Sequence, residues 1–79
     1  MPKGQISNSI RRLRFDADEM TQKDLAERVG VTRQTIVAIE AAKYSPSLEL
    51  AFQIARAFAK PLDAVFTFDH PPNEDPQQT

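Results

Sequence analysis

Apolar residues recur at intervals of three and four along most of this chain, which is the spacing of amphipathic helices. The clearest unit is residues 21–40, TQKDLAERVGVTRQTIVAIE, where two short apolar patterns flank one glycine. Thr21 is predicted to cap the first helix, and Asp24 can bond back to the Thr21 amide as a short-armed capping box. Gly30 follows the last apolar position, where a left-handed residue would end the helix. The pattern predicts a helix of about two turns with both ends marked.

A second helix is predicted from Thr32, its cap, to Ala41, with Ile36 and Ile39 turned inward. Only Gly30 and Val31 separate the two capped helices, so they must meet at a steep angle. This is helix-turn-helix geometry, which usually presents its second helix to a DNA groove.

Three further helices are predicted around this unit. The first runs from about Ser7 to Ala17, with Ser7 or Asn8 as its cap, and Ser47 caps a fourth. Pro61 suits the first position of a short fifth helix. The expected inward residues are Ile6, Ile10, Leu13 and Ala17 in the first helix, Leu48, Ala51, Ile54, Ala55 and Phe58 in the fourth, and Leu62, Val65 and Phe66 in the fifth.

These elements predict one all-α domain of five helices over residues 1–68. Phe66 to Asp69 alternates in a way that allows a short extended edge. Residues 69–79 form an acidic, proline-rich tail with almost nothing to bury, and disorder is expected after about Pro71.

Charge is segregated along the chain and partly hides a basic domain. The net charge of the 79 residues is −1. Residues 1–66 contain all ten Lys and Arg against eight acids, a net +2, whereas residues 67–79 contain three acids and no base, a net −3. A bias of this size would not by itself suggest DNA.

Other function classes find little support in the sequence. There is no cysteine, the single histidine, His70, lies in the tail, and no carboxylates show ligand spacing, so neither a catalytic site nor a metal or cofactor is expected. No apolar run approaches the roughly 20 residues of a membrane span, and the N-terminus lacks a signal sequence. We expect a cytoplasmic protein.

Several polar residues suit contact with nucleic acid. Gln22 begins a helix, where the dipole favours a phosphate. Arg33 and Gln34 begin the next helix and have the side chains that bond bidentately to guanine and adenine. Val37 and Ala38 suit close groove approach or partial burial, and Lys43 and Tyr44 can reach phosphates. Arg11 and Arg12 either form a solvent-exposed helix face or contact DNA phosphates.

Residues 8–68 resemble the Cro and lambda-repressor class of helix-turn-helix regulators, the Xre family. The motifs TQ, LA, VG, RQTI, IE, KYSPSL and PL carry the resemblance. It implies a lambda-repressor-like fold and a regulator, expected to be a repressor, that binds double-stranded DNA. The implied DNA-binding residues are Thr21, Gln22, Thr32, Arg33, Gln34, Thr35, Val37, Ala38, Lys43 and Tyr44.

The resemblance also implies a structural ion pair between Arg14 and Glu40, which would orient the second helix of the motif. This chain has Ala42 and Ala59 where the family commonly has glycine after a helix. Either these alanines adopt a strained left-handed conformation, or the helices end differently.

One recognition helix offers few contacts, so a homodimer on a near-palindromic site is expected. Its surface is predicted to join the fourth and fifth helices, with Phe52, Leu62, Phe66 and Phe68. The alternative is a protein-interaction module, such as an antitoxin, whose acidic tail binds a basic partner protein.

Overall fold

In a computed structural model that describes residues 5–69, the chain folds into five helices and a small sheet. The elements are β1 Gln5–Asn8, α1 Ile10–Asp16, α2 Gln22–Val29, α3 Arg33–Glu40, α4 Leu48–Ala57, α5 Leu62–Val65 and β2 Phe66–Asp69. The predicted five-helix fold is confirmed.

Hydroxyl caps start the three longest helices. The Asp24 amide donates to Thr21 Oγ1 at 2.9 Å, and the Thr21 amide donates to Asp24 Oδ2 at 3.3 Å, which completes the capping box of α2. Thr32 Oγ1 accepts from the Thr35 amide at 3.2 Å, and Ser47 Oγ accepts from the Leu50 amide at 3.1 Å. Each cap satisfies one of the amides that a helix start leaves without an internal partner.

The beginning of the chain departs from prediction. Ser7 and Asn8 belong to β1, which pairs antiparallel with β2 so that Ile6 faces Phe68 and Asn8 faces Phe66. The first helix therefore begins at Ile10, and Ile6 is not part of its inner face. The extended segment predicted at Phe66 to Asp69 is present as β2, and its strand partner was missed.

The core lies where α1 to α5 converge. Its fully buried large side chains are Ile10, Leu25, Ile36, Ile39, Ile54 and Val65. Removing such a side chain from water contributes about 1.5–3 kcal/mol relative to exposure. Contrary to prediction, Leu48 is 67% exposed, and Pro61 precedes α5 as its N-cap. Phe66 packs against the core as predicted, but it belongs to β2 and not to the fifth helix.

Left-handed residues end α2, α3 and α4. Gly30 has φ 80°, Ala42 has φ 60° and Ala59 has φ 55°. At α3 the Lys43 amide donates to the Ala38 carbonyl at 2.9 Å, and the Ala42 amide donates to the Ile39 carbonyl at 3.0 Å. This pair of bonds is a Schellman motif, and Ala59 with Lys60 repeats it after α4. The two alanines therefore adopt the strained left-handed conformation, and the hydrogen bonds to the last helix carbonyls offset that strain.

Some sequence-based expectations concern residues that the structure leaves undescribed. The disorder expected after Pro71, the tail position of His70 and the tail acids Glu74 and Asp75 lie outside residues 5–69, whereas Asp69 ends β2. No helix within residues 5–69 has the length and apolarity of a membrane span. Over the same residues, no cluster of three or more His, Cys, Asp or Glu side chains is placed to hold a metal ion.

We predict that Ala42→Gly and Ala59→Gly each raise the free energy of unfolding by about 1 kcal/mol, because glycine adopts positive φ without the Cβ clash. Gly30→Ala should lower it by a similar amount, since the added Cβ meets no atom within 4 Å and only the φ strain changes. Urea unfolding of the three variants measures these shifts. Destabilisation by Ala42→Gly would contradict a strained α3 terminus.

Candidate nucleic-acid interface

The exposed face of α3 is fixed by what its opposite face buries. Ile36 and Ile39 are in the core at 0% and 1% exposure, whereas Arg33 and Gln34 are exposed in the first turn. One turn further on, Val37 is 38% exposed. The cap Thr32 is exposed as well, and Thr35 and Ala38 are half-buried. The helix therefore presents a polar leading end and a small apolar patch behind it.

A largely buried ion pair holds the other end of α3. Arg14 Nε donates to Glu40 Oε2 at 2.6 Å, and Arg14 Nη2 donates to Glu40 Oε1 at 3.1 Å. Arg14 Nη1 also donates to the Met20 carbonyl at 2.8 Å. The two charged side chains are only 16% and 10% exposed. This bidentate geometry fixes both the position and the roll of α3 relative to α1.

Gln22 joins the same network. It lies half-buried at the start of α2, and its Nε2 donates to Glu40 Oε1 at 3.3 Å. An amide nitrogen carries two hydrogens, so one N–H remains to meet a phosphate. The side chain predicted to contact the backbone of DNA is thus held by the residue that orients α3.

An open cleft lies between α1 and the starts of α2 and α3. Four basic and two acidic side chains line it, and Glu40 among the acids is already paired with Arg14. The lining residues include Arg11, Thr21, Gln22, Lys23 and Arg33. This local excess of positive charge suits a polyanion, although the net charge of the whole chain does not show it.

The structure adds two residues to the predicted DNA-binding set. Lys23 is not among the residues predicted from the sequence, although it directly follows Gln22 in the first turn of α2. Arg11, whose sequence position is compatible with either solvent exposure or phosphate contact, lines the cleft, whereas Arg12 forms an exposed 4.0 Å pair with Asp16. Such a surface pair contributes little to stability.

Lys43 and Tyr44 follow α3 on an exposed turn, and Tyr44 is 52% exposed. The Schellman bond of the Lys43 amide sets the direction in which they leave the helix. Both side chains are consequently available at the far end of the α3 face from Arg33 and Gln34.

A separate apolar groove lies at the sheet and α5. Its lining residues are Ile6, Leu62, Asp63, Phe66, Thr67 and Phe68. Phe68 is 61% exposed, and Phe52 on the adjoining α4 is 50% exposed. Leu48 precedes Phe52 by one helical turn and shares its face. The four residues predicted for a dimer surface thus lie on α4, α5 and β2, and the structure adds Ile6 and Leu48 as exposed apolar neighbours.

We predict that Arg14→Met lowers the free energy of unfolding by about 3 kcal/mol, because it leaves the Glu40 carboxylate poorly solvated without its partner. The double variant Arg14→Met, Glu40→Leu should recover most of that loss, since no buried charge remains. A double-mutant cycle by urea unfolding measures the coupling. Additive losses from the two single changes would contradict an energetic pair.

Comparison with known proteins agrees with this geometry. Residues 10–65 match the family model described as helix-turn-helix. A transcriptional regulator of the helix-turn-helix type from Archaeoglobus fulgidus is 56% identical over 50 residues, which cover 63% of this chain and 70% of that protein. One from Methanocaldococcus jannaschii is 52% identical over the same share of this chain and 76% of its own length.

A third relative, a helix-turn-helix transcriptional regulator of Bacillus subtilis, is 44% identical over 61 residues, covering 77% of this chain and 91% of that protein. The match of the family model extends from the first residue of α1 to the last of α5 and so includes the whole helical core. The chain belongs to the Xre-type helix-turn-helix family, and it is a DNA-binding regulator and not an enzyme.

Proposed function

We propose that this protein is a sequence-specific, double-stranded DNA-binding transcriptional regulator that acts as a homodimeric repressor on a near-palindromic operator. The observation that carries the proposal is the mounting of α3. Its inner face is locked by Ile36 and Ile39 and its end by Glu40, while Arg33 and Gln34 stay exposed at the leading end. A rigid helix with free guanine- and adenine-binding side chains is what major-groove readout requires.

The remaining polar residues divide into base and phosphate contacts. Arg33, Gln34, Val37 and Ala38 face the bases, and Thr35 supports them from the first turn of α3. Thr21, Gln22 and Thr32, at the helix starts, meet one stretch of phosphates, while Lys43 and Tyr44 meet another across the groove. Phosphate contacts on both sides set the register in which α3 reads the bases.

Dimerisation is proposed because one α3 supplies too few contacts for useful discrimination. A two-fold dimer doubles them and requires half-sites one helical turn apart, about 34 Å. The exposed apolar side chains of the groove, together with Phe52, favour burial against a second copy. Repression is the simplest outcome, since a dimer seated on a promoter needs only to exclude polymerase.

Selection of bound duplexes from a random pool tests the proposal with the purified full chain. We predict a near-palindromic site, and binding that weakens steeply with salt because several phosphates are contacted. Gln34→Ala should change the selected base at one position in each half-site, whereas Gln22→Ala should weaken all sites alike. An unchanged site with Gln34→Ala would remove the base-reading role, and a flat salt dependence would remove the phosphate contacts.

We further predict that Phe68→Thr raises the dimer dissociation constant at least about tenfold, because each protomer loses buried aromatic area. Threonine retains β propensity, so the pairing of β2 with β1 should persist. Phe15→Thr is the matched control, since Phe15 is 68% exposed on α1 and lies outside the groove. Sedimentation at several protein concentrations measures both variants, and equal effects would exclude the groove as the interface.

A further inference from the structure

Asn8 connects two elements that are far apart in sequence. It ends β1, directly opposite Phe66 of β2. Its Nδ2 donates to the Ile39 carbonyl in the last turn of α3 at 2.9 Å, across 31 residues of sequence. Its Oδ1 accepts from the Ile10 amide at the start of α1 at 3.1 Å. One amide side chain therefore meets the end of one helix and the beginning of another.

Both bonds satisfy groups that a helix cannot pair internally. The Ile39 carbonyl belongs to the last four of α3, and the Ile10 amide belongs to the first four of α1. The Ser9 side chain, at the N-cap of α1, makes no capping bond. The Ile39 oxygen also accepts from the Ala42 amide at 3.0 Å, and its two lone pairs permit both bonds.

The bond from Asn8 to the Ile39 carbonyl lies at the exit of α3. Ala42, Lys43 and Tyr44 follow within five residues, so the carbonyl that Asn8 holds lies at the exit of α3. On its other side Asn8 is tied to the sheet, because it pairs with Phe66 and the Ser9 amide donates to the Val65 carbonyl at 2.9 Å. Phe66 and its neighbour Phe68 line the apolar groove.

We propose that Asn8 is a positioning residue that fixes the α3 exit relative to the groove, so that the two recognition helices of a dimer keep one spacing. The inference rests on the proposed function, in which the groove is the dimer surface. In a two-fold dimer, the separation of the recognition helices depends on how each α3 is mounted on that surface. Asn8 links the two within one residue, because it pairs with Phe66 through its strand while its side chain bonds the Ile39 carbonyl at the α3 exit.

Two substitutions separate the two bonds of Asn8. Asn8→Asp and Asn8→Ser both keep an oxygen that can accept from the Ile10 amide, and neither keeps the donor to Ile39. Serine keeps the acceptor without adding a charge, and its hydroxyl is too close to the backbone to reach the Ile39 carbonyl. Ser7→Ala, one residue earlier on β1, is the matched control.

The test measures operator affinity for the selected site and for versions with the half-site spacing changed by one base pair in either direction. We expect wild-type protein and Ser7→Ala to reject the altered spacings. Asn8→Asp and Asn8→Ser should lose about fivefold or more of that discrimination, the effect of one net hydrogen bond. Loss of stability alone lowers the amount of folded dimer for every site equally and leaves the ratio between spacings unchanged.

Amide hydrogen exchange supplies a readout that does not depend on DNA. Exchange at residues 41–43 should accelerate in both Asn8 variants relative to the amides of α1, whose cap acceptor is kept. In the wild type, the Asn8 side-chain amide should exchange slowly, which can be measured even if the variants fail to fold. Uniform acceleration across the domain, or rapid exchange of that side chain, would overturn the positioning role.

The two readouts separate this inference from the proposed function. If the wild type selects no operator, the regulator proposal fails, while exchange at the α3 exit still decides whether Asn8 holds it. If an operator is selected and both Asn8 variants keep the spacing preference of the wild type, the inference fails and the regulator proposal stands.

Discussion

The bidentate contact between Arg14 and Glu40 is the constraint on which the α3 surface depends. Helix α3 has only eight residues, fewer than an isolated helix needs to be stable in water. Two buried isoleucines hold it to the core, but apolar contact alone permits a helix to roll or slide. The directional bonds from Arg14 to Glu40, with a third to the Met20 carbonyl, remove that freedom. A mostly buried pair contributes little net stability and much geometric definition.

The same principle extends to both ends of α3. Thr32 caps its start, the Schellman bonds of Ala42 and Lys43 close its end, and Asn8 holds the Ile39 carbonyl. These contacts leave the outer face uncommitted. The outward side chains of α3 therefore remain available for contacts outside the protein. Gln22 adds a polar group beside this face, because its side-chain amide donates one hydrogen to Glu40 and keeps a second N–H.

The parts of this structure that sequence predicts are those with local causes. Hydroxyl caps at Thr21, Thr32 and Ser47 and the left-handed Gly30 are decided within a few residues, so the boundaries of α2 and the start of α4 follow from the chain itself. The strand β1 does not, because the spacing from Ile6 to Ile10 also fits a helix. Its state is set by β2, about sixty residues later.

Tertiary causes also explain what sequence could not show about the site. The cleft that gathers Arg11, Lys23 and Arg33 exists only once α1, α2 and α3 are packed. Leu48 matched the apolar stripe of α4, yet it begins the helix, where it is 67% exposed. Helical spacing identifies a face and cannot tell whether a neighbour covers the end of that face.

Charge distribution bears on how such a small domain could discriminate among DNA sites. Non-specific affinity comes mostly from phosphate neutralisation and grows with the number of cationic contacts. Residues 1–66 carry a net charge of only +2, so long-range attraction to DNA is weak and a monomer would hold random sequence poorly. In the proposed homodimer, useful affinity would then come from short-range contacts that both α3 helices make in register with the DNA. For the function proposed above, precise mounting of α3 would take the place of a strongly basic surface.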